Sequence, residues 1–174
     1  NAASRSPLNI PVISLFLLLW LCQDTSPREA FKRSFFYGIG YFGVGVSWVY
    51  ISIHDYGNSN IFVGGLITGL FILILSLFPA MAAYIAVKLN VSSKRLTYWL
   101  AFPAAWALVE WVRSWIFTGF PWLLIGQSQT NSPLAGFAPL VGIYGVSFIV
   151  VLSGGLLFSI VKHSQKWLSL FLLF

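Results

Sequence analysis

Five long apolar runs and the start of a sixth divide the chain. They lie at about 8–22, 35–53, 61–87, 98–117 and 139–161, with a shorter run from Trp167 to Phe174. The apolar residues fall in unbroken stretches rather than in the one-sided stripe of a surface helix. Runs of about 20 such residues match the roughly 30 Å hydrocarbon core of a bilayer. The pattern predicts an all-α, polytopic transmembrane helix bundle, with about five complete spans and one truncated, forming a single domain over residues 1–174. Pro11 falls in the first turn of its run, where proline is tolerated, whereas Pro79 lies inside the third and predicts a kink there. The last run would reach only about 12 Å as a helix, so the natural protein is expected to continue past Phe174. No signal peptide is expected at Asn1, because no small-residue cleavage site follows it.

The polar segments between the runs give an orientation. Arg28, Lys32 and Arg33 lie in the first, Lys88, Lys94 and Arg95 in the third, and Lys162 and Lys166 in the fifth, which is eight of the ten Lys and Arg residues. The intervening loops, 54–60 and 118–138, carry none. Successive spans alternate in direction, so the basic loops share one side, and the positive-inside rule makes that side cytoplasmic. Loops 54–60 and 118–138 are then expected in the periplasm, with the chain multi-pass in a bacterial inner membrane.

Composition agrees with this solvent. Hydrophobic residues make up 58% and charged residues 8%, and the mean hydropathy is +0.84. A soluble domain needs far more charge to cover its surface. The net charge of +6 raises nucleic acid as a partner, but the cations sit in short clusters between spans, which argues for topology instead. Cys22, His54 and His163 are scattered and form no metal-ligand cluster, and no cofactor is implied. Gly65 and Gly69 form a G-x-x-x-G, and Gly38, Gly40, Gly43 and Gly45 recur in the second run, so close helix packing is expected at both. Gly38 to Gly43 also match the letters of a dinucleotide fingerprint, but no strand precedes them and a span surrounds them.

Candidate chemistry concentrates around the fourth run. Glu110 and Arg113 lie three apart, on one helical face, and can pair. Ionisable groups inside a span cost roughly 2.5–3.5 kcal/mol each on insertion scales, so they should face the bundle interior or a wet cavity. They read either as a structural ion pair or as a polar feature at the base of a lipid-headgroup site, where Arg113 suits a phosphate. Trp115, Phe120, Pro121 and Trp122 follow, then Gln129, in a long and partly apolar loop with Gly119 and Pro121 fixing a turn. Trp48 and Tyr50 end the second run. An aromatic belt at the headgroup level is the default account of both groups. No G-x-S-x-G nucleophile elbow and no phosphate-binding loop occurs, so no catalytic constellation is complete within the chain.

The pattern Glu110-x-x-Arg113-x-Trp115-x-x-Thr118-Gly-Phe-Pro-Trp122, then Gly126-x-Ser128-Gln129, closely resembles the membrane domain of bacterial apolipoprotein N-acyltransferase. Gly45-Val-Ser-Trp48-Val-Tyr50-Ile-Ser52 and the stretch from Pro133 to Phe148 also look like family motifs. The resemblance implies an eight-helix membrane domain with a periplasmic nitrilase-like domain inserted before the last helix. That domain would carry a Glu-Lys-Cys triad and take an acyl chain from a phospholipid donor, as a thioester. It would pass the chain to the N-terminal diacylglyceryl-cysteine of an apolipoprotein acceptor. By the same resemblance the six runs match the second helix through the start of the seventh, and Cys22 matches no triad position. The triad is thus expected to lie outside this chain, which alone should be inactive. Two other classes remain open: a small-solute or lipid transporter or channel subunit with Glu110 and Arg113 lining its path, and a non-catalytic membrane scaffold. The topology is testable directly: reporter fusions at the Arg28 and Lys94 turns should report the same face of the bilayer, and opposite faces would refute it.

Overall fold

The computed structural model describes residues 9–57, 59–89 and 96–171. No strand occurs among them. The described residues form six α-helices: α1 (Asn9–Leu21), α2 (Pro27–Gly45), α3 (Trp48–Ile51), α4 (Ile61–Lys88), α5 (Phe102–Arg113) and α6 (Ala138–Phe171). π-helical turns at Ser52–Tyr56 and Thr97–Ala101 extend α3 and lead into α5. Three 3-10 turns, Ile116–Thr118, Ile125–Gln129 and Pro133–Phe137, carry the chain from α5 to α6. By length and composition, α4 and the segment Pro133–Lys162 can cross a membrane, and the α2–α3 pair, bent by 52°, adds a third span if taken as one. α1 is a shorter apolar helix.

Hydropathy predicts these elements less well at their ends than local chemistry does. α2 begins at Pro27, well before the apolar run, because the Ser26 hydroxyl accepts from the Glu29 amide at 3.3 Å and Pro27 opens the first turn. It stops at Gly45 rather than running on to residue 53, and the chain turns before α3. α5 ends at Arg113, not at residue 117: the chain leaves helical geometry at Trp115, with φ −133°, and Thr118 and Gly119 then take positive φ values of 75° and 83°. α4 continues through Pro79. The expected turn at 162–166 is absent and α6 runs through it, because Lys-His-Ser-Gln-Lys contains charge but no glycine or proline. The break in α6 falls instead at Gly142, with φ 68° and ψ 178°.

The packing is that of a protein immersed in hydrocarbon. α4 turns Gly64, Thr68, Ser76, Ala80, Ala82, Ala83 and Ala86 inward. Its larger side chains Phe62, Leu66, Ile67, Leu70 and Ile74 face outward. Small residues inside and large apolar ones outside reverse the soluble pattern and let helix backbones approach. A Cβ on Gly38 of α2 would lie 2.9 Å from Pro79 and from the Ser76 backbone, so α2 and α4 touch there. Gly154 of α6 similarly abuts Leu15 of α1. α5 fills the centre, with Phe102, Ala105, Trp106 and Val109 buried among Leu15, Leu18, Ala82, Ala83 and Val150. The expected contact through Gly65 and Gly69 is not formed: a Cβ at either meets nothing within 4 Å, and the same is true of Gly40 and Gly43. The inward face of α4 is offset by one residue, onto Gly64 and Thr68.

Apart from Arg113, the basic side chains that the structure describes gather at one end of the bundle. Arg33 donates to the Leu21 carbonyl, Lys162 reaches Gln23 and Asp24 at 3.3 and 3.4 Å, and Lys88 lies 5.3 Å from the Tyr84 ring centroid. Lys94, Arg95 and the end of the sixth run at 172–174 lie outside the described residues. The other end carries the Ser52–Tyr56 turn and the long α5–α6 connection. The α2–α4 contact predicts opposite behaviour for two glycines. Gly38→Leu should destabilise by about 1–3 kcal/mol through overpacking, lowering the thermal midpoint in detergent, whereas Gly65→Leu should leave it unchanged; equal effects would contradict the packing.

Candidate functional site

Between its short 3-10 turns the α5–α6 connection is irregular backbone at the end of the bundle, and such backbone is tolerated only where its polar groups find partners in protein or water. Here the partners are side chains projecting from the helices. Arg113, 2% exposed, donates from Nη1 to the Trp122 carbonyl at 2.8 Å and from Nη2 to the Leu123 carbonyl at 3.2 Å. The Tyr41 hydroxyl of α2 donates to the same Leu123 carbonyl at 3.1 Å. Glu110, 5% exposed, accepts at Oε1 from the Ile125 amide at 2.8 Å and from the Trp106 indole at 3.1 Å. Gln127 brackets the turn, donating to the Pro121 carbonyl and accepting from the Leu124 amide. The Phe120 amide closes back on the Arg113 carbonyl at 3.0 Å, and the Gly126 amide donates to the Ser147 hydroxyl of α6 at 3.0 Å.

Glu110 and Arg113 therefore share a helical face, as their spacing predicts, but they form no direct ion pair, unlike Lys32–Glu29 and Lys162–Asp24. Each is bonded to the backbone of the loop instead. The Arg113 guanidinium also lies 5.2 Å from the Phe42 ring centroid. With Tyr41, Phe42, Trp106 and Leu123, the two line a cavity of about 20 Å³. That is room for about one water, and Glu110 Oε2 has no protein partner.

These bonds hold a strained path. Thr118, Gly119 and Leu123 have φ values of 75°, 83° and 57°. Only glycine suits residue 119, since a Cβ there would lie 2.2 Å from the Ser114 carbonyl oxygen. A β-branched residue such as Thr118 rarely adopts positive φ. Strain of this kind costs on the order of 1–3 kcal/mol per residue and persists only where the surroundings fix it. Gly126 is required for contact rather than for φ: a Cβ there would lie 2.5 Å from the Ile143 carbonyl oxygen.

The result is a rigid rim bearing exposed aromatics. Trp122 is 57% exposed and Trp115 55% exposed, whereas Phe120 between them packs edge-on against Phe71 with ring centroids 5.0 Å apart. Pro121 sits at the turn with its carbonyl bonded to Gln127. Trp115 leans on Trp111 rather than on Trp122. Gln129 is fully buried; its Nε2 donates to Ser128 and its Oε1 has no partner in the protein. Trp48 and Tyr50 make no hydrogen bond or ring contact with these residues; Tyr50 stacks on His54 at 5.5 Å. Val49 between them packs on the apolar cluster that also receives Phe120 and Leu123. The sequence candidates thus divide into bonded supports (Glu110, Arg113), a turn (Phe120, Pro121), exposed rings (Trp115, Trp122) and outlying groups (Trp48, Tyr50, Gln129).

Tyr41, Trp106, Gln127 and Ser147 were not among the candidates, although all four bond the loop or its supports. The available signal was chemical: a tyrosine hydroxyl, an indole or a serine inside an apolar run needs a partner when buried.

The comparisons with known proteins bear on the same segment. A family model described as the apolipoprotein N-acyltransferase N-terminal domain matches residues 4–156. The apolipoprotein N-acyltransferase of Methylococcus capsulatus is 44% identical over 147 residues, covering 84% of this chain and 29% of the relative. That of Coxiella burnetii is 44% identical over 153 residues, covering 87% of this chain and 31% of the relative. That of Azotobacter vinelandii is 43% identical over 158 residues, covering 90% and 31%. The chain spans about three tenths of the length of the curated relatives it matches. The α1–α6 bundle, with the loop that Glu110 and Arg113 hold, belongs to the apolipoprotein N-acyltransferase family and corresponds to its N-terminal domain.

Proposed function

We propose that this chain is the membrane-embedded N-terminal part of an apolipoprotein N-acyltransferase. The reaction moves an acyl chain from a phospholipid to the N-terminal diacylglyceryl-cysteine of an apolipoprotein, in lipoprotein maturation at the bacterial inner membrane. The observation that carries the reading is the loop from Ser114 to Gln129. Two buried ionisable residues, a tyrosine and a glutamine give their hydrogen bonds to its backbone, leaving Trp115 and Trp122 exposed at its surface. A loop fixed this firmly at the interface suits the guidance of lipid chains more than their chemistry. The catalytic Glu-Lys-Cys triad belongs to a nitrilase-like domain outside this chain, which alone is inactive.

The division of labour has a physical basis. A soluble domain cannot extract acyl chains cheaply, because exposing each CH₂ costs about 0.8 kcal/mol. Apolar helices can hold the chains in hydrocarbon while the headgroup reaches a nucleophile above the loop, and proximity then supplies much of the rate. In this reading loops 54–60 and 118–138 face the periplasm, the basic end faces the cytoplasm, and the runs at 8–22, 35–53, 61–87, 98–117 and 139–161 all cross. Trp48, Tyr50, Phe120, Pro121 and Trp122 line the lipid approach, Glu110 and Arg113 support it from below, and Gln129 stays buried against Ser128 at its edge. A transport path is disfavoured, since Glu110 and Arg113 close a cavity of about 20 Å³ instead of lining a passage.

In the full-length acyltransferase, Arg113→Ala and Trp122→Ala should each lower acyl transfer from phospholipid to apolipoprotein by at least about tenfold at normal protein levels. The first leaves the Trp122 carbonyl without its side-chain donor and the Leu123 carbonyl with Tyr41 alone, at a cost of about 1–3 kcal/mol. Unchanged turnover would remove these residues from the site. Glu110→Gln keeps an acceptor oxygen for the Ile125 amide and should retain most activity, whereas Glu110→Ala should not. Equal loss in both would show that charge, rather than loop support, is what Glu110 contributes.

A further inference from the structure

At the end of the bundle opposite this loop, α2 begins beside the end of α4, and an open groove of about 550 Å³ lies between them. Its floor and walls are Phe31, Met81 and Tyr84, and its rim carries Arg28 and Lys32. Lys88, one turn beyond Tyr84, places its ammonium 5.3 Å from that ring. The volume falls in the range of sites that enclose small molecules.

The charge around the groove is unbalanced. Arg28, Lys32 and Lys88 stand against one nearby carboxylate, Glu29, which meets Lys32 at 3.2 Å. That pair is largely exposed, so water weakens it. Arg28 has no hydrogen-bond or ion-pair partner among the described residues. Arg28 and Lys32 are four apart on α2 and present both cations on one side of the helix. A free phosphate would use the cations and leave the apolar walls bare. An uncharged lipid would use the walls and leave the cations unmatched. Basic pockets between spans are suited to the head groups of acidic lipids.

We propose that this groove is a binding site for an anionic phospholipid. Arg28 and Lys32 hold the phosphate and headgroup, with Lys88 alongside, and the chains lie along Phe31, Met81 and Tyr84. The site is separate from the acyl-transfer loop and does not rest on the acyltransferase reading. The lipid fills the space between α2 and α4 at the end where no glycine contact joins them.

Native mass spectrometry of the full-length polypeptide in neutral detergent tests the proposal, titrating phosphatidylglycerol, phosphatidylcholine of the same chains, and inorganic phosphate. Phosphatidylglycerol should bind about tenfold more tightly than phosphatidylcholine. Arg28→Gln and Lys32→Gln should each weaken it by about fivefold, as expected for one juxtamembrane charge, without moving the weaker phosphatidylcholine binding. Met81→Trp, at a half-exposed position, keeps every charge but fills the groove and should weaken phosphatidylglycerol binding equally, with an unchanged thermal midpoint reporting an intact fold. Equal affinity for the two lipids would overturn the proposal. So would full phosphatidylglycerol binding in the charge variants or in Met81→Trp, or its displacement by millimolar inorganic phosphate.

Discussion

Irregular backbone at the edge of a hydrocarbon phase must have its amides and carbonyls bonded, and this requirement organises the molecule. The 3-10 turns of the α5–α6 connection bond themselves, but the amides at Leu124, Ile125 and Gly126 go to side chains. The connection's carbonyls at Pro121, Trp122 and Leu123 and its amides at Leu124, Ile125 and Gly126 are met by five side chains, those of Tyr41, Glu110, Arg113, Gln127 and Ser147, all set on helices or within the turn. That demand explains why a carboxylate and a guanidinium stand in an otherwise apolar helix. Their insertion cost, a few kcal/mol each, is offset by the carbonyls and amides they satisfy. It also explains why they do not pair with each other: each has a backbone partner closer at hand, one on either side of the turn.

The two ends of the bundle are built on different principles. At the loop end, buried polar side chains hold backbone in positive-φ conformations, and the exposed surface is aromatic. At the other end, exposed cations sit on helix termini and loop ends, and contacts among them are long or solvent-screened. Between the ends, small residues on α4 and α6 let helices touch, and their bulky neighbours face lipid.

How much of this was legible in the sequence depended on which force fixed each feature. Bulk hydrophobicity marked the helical class and the bounds of α4, which runs Ile61–Lys88 against an expected 61–87. It could not mark the start of α2, which a serine cap and a proline decide, or the end of α5, where the backbone leaves helical geometry at Trp115. Nor could it find the inward face of α4, because glycines with no Cβ leave both Gly64 and Gly65 plausible, and only packing against Tyr50 selects the first. Lysines at 162 and 166 suggested a turn, but charge at a helix end does not break a helix. At the site, Glu110 and Arg113 stood out because ionisable residues are costly in a span. Their true partners were invisible, because bonds to backbone carbonyls leave no trace in residue identity. Tyr41 lies 82 residues from the carbonyl it bonds and reads locally as one more aromatic in an apolar run.

Hydrogen–deuterium exchange over residues 119–129 of the full-length polypeptide, reconstituted in lipid, tests the central claim most directly. If side chains of α5 hold this backbone, the Ile125 and Gly126 amides exchange slowly in the wild type. They then exchange at least about tenfold faster when either Glu110 or Arg113 is replaced by alanine, the change expected for losing about 1.4 kcal/mol of local stability, while amides in the middle of α4 keep their protection. Fast exchange already in the wild type, or no acceleration in either variant, would contradict the account.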